Sequence, residues 1–161
     1  MRIVCLLSMT SALADVNRPF MPDRLESGTQ NVCGLAGLNA GIRWIEEQGA
    51  DTLADHGKRL IALLRNGLQD IPGLHCYAGE GQVLSVTIDG TDNGTAAAEM
   101  EERWGIMTRI GLHCAPLAHR TLGTFPNGTI RFAVSTFNTE EEIGICVRAC
   151  KALAEEAWTK K

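Results

Sequence analysis

Three stretches of this chain carry side chains that could do chemistry. The first is Arg109-Ile110-Gly111-Leu112-His113-Cys114-Ala115-Pro116, followed by Leu117-Ala118-His119. An apolar strand pattern over residues 106–110 runs into Gly111, where the chain can turn sharply. A His-Cys pair follows, and Pro116 disfavours a helical course before it. A loop cysteine beside a histidine and near an arginine stands where a thiolate can be stabilised. The competing reading is a buried structural cysteine, because free Cys is among the most buried residue types. The second stretch runs from Thr129 through Arg131 to Asn138-Thr139-Glu140-Glu141-Glu142-Ile143. Ile130, Phe132 and Val134 share one strand face there, so Arg131 points the other way. A guanidinium fork on an open face suits a carboxylate; an ordinary solvated arginine fits the same pattern. The third is Arg24-Leu25-Glu26-Ser27-Gly28-Thr29-Gln30-Asn31, whose hydroxyl and backbone N–H groups could serve a phosphate or form a simple turn.

In order and spacing these three motifs resemble the C-terminal part of class V aminotransferases, most of all the cysteine desulfurase and selenocysteine lyase branch. The match runs from about Pro22 to the end of the chain. The resemblance implies a pyridoxal phosphate cofactor and L-cysteine as substrate. It also implies conversion of L-cysteine to L-alanine, with the sulfur left on Cys114 as a persulfide and then passed to an acceptor protein. Arg131 matches the arginine that grips the substrate α-carboxylate, with Arg109 and His113 nearby. His113 or Arg109 would lend the positive character a reactive thiolate needs. Thr29, beside Gly28, matches the threonine that reaches the cofactor phosphate of the neighbouring subunit in a homodimer.

The chain also departs from that family. Its Schiff-base lysine, the ring stacked on the cofactor and the carboxylate paired with the pyridine nitrogen precede the Arg24 motif, in a large domain. Lys58, Lys151, Lys160 and Lys161 do not stand in that context. The chain reads as a small C-terminal domain over residues 22–161, behind an atypical leader over residues 1–21. Two alternatives stay open: a cofactor-free module that binds or relays sulfur on Cys114, and a family enzyme acting on another amino acid.

The elements that must position these residues follow from periodicity. Leu35, Leu38, Ile42 and Ile45 keep helical spacing up to Gly49, and Leu53, Leu60, Leu63, Leu64 and Leu68 form the stripe of a second helix. Residues 74–77 and 82–88 alternate as strands, with Leu84, Val86 and Ile88 on one face. Thr95 is placed to cap a helix that Gly105 ends, and residues 106–110 and 129–134 read as the third and fourth strands. Thr139 with Glu142 makes a capping box before a last helix carrying Ile143, Cys146, Val147, Cys150 and Leu153. This order predicts an α+β fold, a small mixed or antiparallel sheet with helices mainly on one face.

The 161 residues, 45% hydrophobic, suffice for one ordinary core. A net charge of −4 argues against nucleic acid or an anionic membrane as partner, and no apolar run approaches a membrane span. Six cysteines without a Cys-x-x-Cys fit a reducing cytoplasm, with Cys33, Cys76, Cys146 and Cys150 as core thiols. Gly-Leu-His-Cys occurs at 73–76 and again at 111–114, but without a familiar zinc spacing, so no metal site is expected.

Overall fold

The computed structural model describes Met21 and residues 29–78 and 81–159. The chain divides at Gly49 into two units. In the first, helix α1 spans Val32–Gln48. Asn31 starts it, its Oδ1 accepting from Gly34 N at 2.9 Å, the N-cap arrangement the sequence suits. None of its residues is buried: Leu35, Leu38, Ile42 and Ile45 are all exposed. Cys33 is exposed too, against the expectation of a core thiol. The correct helical period therefore said nothing about what covers the apolar stripe.

The second unit, residues 49–161, holds the sheet. Helix α2 spans Ala50–Leu68, β1 Leu74–Ala78, β2 Val83–Ile88, α3 Asn93–Trp104 and β3 Arg109–Gly111. Then come α4, Pro116–Leu122, β4, Thr129–Ala133, and α5, Glu140–Thr159. The four strands pair antiparallel in the order β1-β2-β4-β3. Leu84, Val86 and Ile88 of β2 and Ile130 and Phe132 of β4 face the core. They meet Leu60, Ile61, Leu64 and Leu68 of α2, Ala96 and Met100 of α3, and Ile143, Cys150, Leu153 and Ala157 of α5. The α+β class with helices on one face is borne out. At roughly 1.5–3 kcal/mol per large apolar side chain, this single cluster is the main source of stability.

Four local expectations change. On α2, Ile61 is buried and Leu63 exposed, because Leu60, Leu64 and Leu68 define the axis of contact. Asp92, not Thr95, caps α3: its Oδ1 accepts from Gly94 N at 2.9 Å and Thr95 N at 3.0 Å, and the Thr95 hydroxyl donates to its other oxygen. The third strand begins only at Arg109, since Gly105 closes α3 in a left-handed turn and residues 106–108 run as a connector. A seven-residue helix, α4, lies between β3 and β4, where periodicity assigned no element. Its signals were present: Pro116 at the first turn and Gly123 as a left-handed C-cap.

Candidate functional site

The face of the sheet away from the helices is polar, and the antiparallel register sets its order. Arg109 stands opposite Arg131, Arg131 opposite Ser85, and Ser85 opposite Tyr77. Residues directly opposite share a face, with Cβ atoms about 4.5–5.5 Å apart. The two guanidinium groups therefore project together. Arg131 is half-buried, and its Nε is fully covered with no hydrogen-bond partner. A covered, unsatisfied charged donor is costly unless something accepts from it. Beside a second arginine, the accepting group with the right charge and fork geometry is a carboxylate or similar oxyanion.

Gly111 pairs with Thr129 one step along the same face. From Gly111 (φ 101°) the chain turns out of β3, and His113 (φ 49°) and Cys114 (φ 60°) both adopt the left-handed conformation. Non-glycine residues rarely do so. The His113 ring turns inward: its Nε2 shares a 3.3 Å hydrogen bond with the buried Thr129 hydroxyl, and its ring lies 5.9 Å from that of His119. Burial, then the Arg131 guanidinium, hold the His113 pKa below the ordinary histidine value. Both influences disfavour the charged imidazolium form of His113. The thiol of Cys114 is exposed.

His119, on α4, is buried, and its Nδ1 shares a 2.7 Å hydrogen bond with the buried Thr124 hydroxyl. It packs the connection between β3 and β4. The capping box is formed: Glu142 N donates to Thr139 Oγ1 at 3.2 Å, and Thr139 N to Glu142 Oε2 at 2.8 Å. Asn138 adds a 3.1 Å bond from Nδ2 to Glu142 and accepts from Ser135 N at 2.8 Å. The Asn-Thr-Glu-Glu motif thus shapes the turn after β4, while Thr129 and Arg131 of that stretch face the site.

Arg109, Arg131 and His113 are thus brought together, with Cys114 on the same loop as His113. Thr29 is exposed and belongs to the first unit; Gly28 and Arg24 lie outside the described residues. Strand alternation placed Ser85 on the face away from Leu84 and Val86 and Thr129 beside Arg131, whereas His119 and Thr124 were not tied to this face by sequence. Among the described residues, no three His, Cys, Asp or Glu side chains converge on a metal position. His75 of the first Gly-Leu-His-Cys instead pairs with Asp89 at 3.1 Å. Among the described residues, no helix is long and apolar enough to cross a membrane.

The described lysines do not fit a covalent cofactor at this face. Lys58 pairs with Asp55 at 3.1 Å on α2, and Lys151 with Glu155 at 4.0 Å on α5, both helices covering the opposite face. A concavity of about 400 Å³ lined by Leu64, Trp104, Ile106, Phe132 and Cys146 lies on that opposite face too, away from the arginines.

The family model for aminotransferase class-V matches residues 11–145. A probable cysteine desulfurase of Methanothermobacter thermautotrophicus is 32% identical over 138 residues, covering 83% of this chain and 34% of the relative. The apo structure of a cysteine desulfurase from Thermococcus onnurineus NA1 superposes with TM-score 0.76 at 30% identity, over 84% of this chain and 34% of that one. The Escherichia coli cysteine desulfurase CsdA, solved as an S-sulfonic acid, gives TM-score 0.75 at 27% identity, over 83% and 33%. The chain spans about a fifth to a third of the length of the curated relatives it matches.

Proposed function

This chain belongs to the aminotransferase class-V family, and from that premise we propose that it is the part of a cysteine desulfurase that holds the amino acid's carboxylate and receives its sulfur. The observation that carries the reading is the Arg109–Arg131 pair facing one way, with the covered Arg131 Nε unsatisfied. Arg131 clamps the α-carboxylate through its fork, and Arg109 adds charge from the neighbouring strand. His113, whose charged form is disfavoured, bonds Thr129 and leaves the positive field to the arginines. Cys114 takes the sulfur as a persulfide, and its exposure lets an acceptor protein collect it. Pyridoxal phosphate, the cofactor the family implies, supplies the electron sink for such chemistry. Its lysine comes from polypeptide beyond the described residues, with Thr29 and Gly28 serving the phosphate across a homodimer.

A mixture of the chain with a separately expressed large domain, the cofactor and L-cysteine should release alanine and leave sulfur on Cys114, read by mass spectrometry. Cys114→Ala should stop turnover and leave cofactor binding by the large domain intact. Alanine release that survives this change would sink the assignment. The exposed thiol also supports a second reading, a relay that needs no cofactor. That relay should load sulfur on Cys114 from a small persulfide donor with the large domain absent; a folded chain that takes no sulfur there excludes it.

A further inference from the structure

The connection between β3 and β4, residues 112–128, carries two buried polar side chains that the proposed chemistry does not use. His119 is 5% exposed and Thr124 8%. They sit on the polar side of the sheet, outside the apolar core, and their short side-chain bond needs its own explanation. The same connection contains His113 and Cys114 in the left-handed conformation, without a glycine at either position. Each such residue costs about 1–3 kcal/mol and persists only where its surroundings hold it.

The hydrogen bonds that hold it form a closed circuit. Ala115 N donates to Leu112 O at 2.8 Å, tightening the turn around Cys114. His119 N donates to Ala115 O at 3.2 Å, and His119 Nδ1 meets Thr124 Oγ1 at 2.7 Å. Thr124 N donates back to His119 O at 2.9 Å, and Gly128 N to Thr124 O at 2.7 Å. Thr129 follows at once and bonds the His113 ring. The circuit is shut at its base, where Gly128 lies so close to Gly111 that a Cβ would collide with the Gly111 carbonyl. The His119–Thr124 bond joins α4 to the segment leading into β4 at its buried side, and the Arg120 guanidinium, 4.8 Å from the Phe125 ring centroid, joins them at the surface.

We propose that His119 and Thr124 are positioning residues: their bond closes residues 112–128 into one cooperative unit that presents Cys114 and keeps His113 against Thr129 and Arg131. The groups facing His113 are Arg131 and Thr129 of β4 and His119 of α4. If the unit loosens, His113 moves away from Arg131 and toward water. The positioning matters for catalysis only on the reading that Cys114 receives sulfur.

The test uses the full chain and no sulfur chemistry, so it fails separately from that reading. By hydrogen exchange, the amides of Ala115, His119, Thr124 and Gly128 should open together, at protection factors within about threefold of one another. Thr124→Val should speed all four by about tenfold or more, leave Leu84 and Val86 unchanged, and move the His113 titration up toward about 6.5. Thr124→Ser should restore both. Unrelated exchange rates in the unaltered chain overturn the proposal, as does a Thr124→Val chain with unchanged exchange and an unmoved His113. Should Thr124→Val not fold, the unaltered chain's exchange decides alone.

Discussion

Arg109 and Arg131 oppose each other directly across the β3–β4 ladder, and among the described residues neither has a carboxylate partner. Like charges so placed destabilise a sheet by about 0.2–1 kcal/mol, toward the low end where, as at Arg109, solvent screens them. A bound carboxylate would turn that repulsion into attraction. Arg109→Gln should therefore raise the urea midpoint slightly at low salt, and the gain should vanish near 0.5 M salt, where the screening length shrinks to a few ångströms. An unchanged or lowered midpoint at low salt would mean the two groups do not interact.

The same pair predicts anion binding. Acetate, followed through the amide shifts of Ser85 and Arg131, should bind the unaltered chain and bind Arg131→Lys about 10–100-fold more weakly. Lysine keeps the charge but loses the bidentate fork, a difference on the order of a charge-assisted hydrogen bond. Equal binding by the lysine variant would leave only a diffuse charge effect.

His113 gives the pH dependence its sign. Its folded pKa is depressed, by burial first and then by Arg131, so the unfolded chain takes up the proton at higher pH than the folded one. The stability that neutral His113 contributes is complete above about pH 6.5 and falls as pH drops below it toward the folded value. His113→Gln should flatten that part of the urea-midpoint profile relative to the unaltered chain. Coincident slopes would place His113 in ordinary solvent.

The cysteines should divide by reactivity. Burial pushes the Cys150 thiol up to about 12, with Cys146 and Cys76 adding to it. At pH 8 its thiolate fraction is then on the order of 1 in 10,000. Burial raises Cys76 and Cys146 as well. Iodoacetamide followed by peptide mapping should label exposed Cys33 and Cys114 first, and Cys150 only in denaturant. Early labelling of Cys150 would show that the α5 face opens in the folded chain.

Gly128→Ala should be far worse than an average loop change. The position has φ 71°, and the new Cβ would collide with Gly111. The left-handed conformation alone costs about 1–2 kcal/mol, before the strands are forced apart. Thermal unfolding should fall accordingly, and a near-neutral effect would show that Gly111 and Gly128 can separate freely.

The sequence by itself determined the parts of this protein that follow from local rules. Alternation put Leu84, Val86 and Ile88 on one face and Arg131 on the other. Helical spacing located α1, α2 and α5, and Thr139 with Glu142 announced the capping box that forms. Gly111 marked the loop that carries Cys114. Tertiary structure decided what depends on neighbours distant in sequence. Strand register set Arg109 against Arg131, although 22 positions separate them. Burial, then the approach of Arg131, lowered the pKa of a His113 ring turned in against Thr129, a relationship no local pattern announces. Cys33 and Cys150 both read as core thiols in the sequence, yet one is exposed and the other buried. Local backbone preference and periodicity are encoded over a few residues; register, burial and electrostatic neighbours exist only once the sheet has closed.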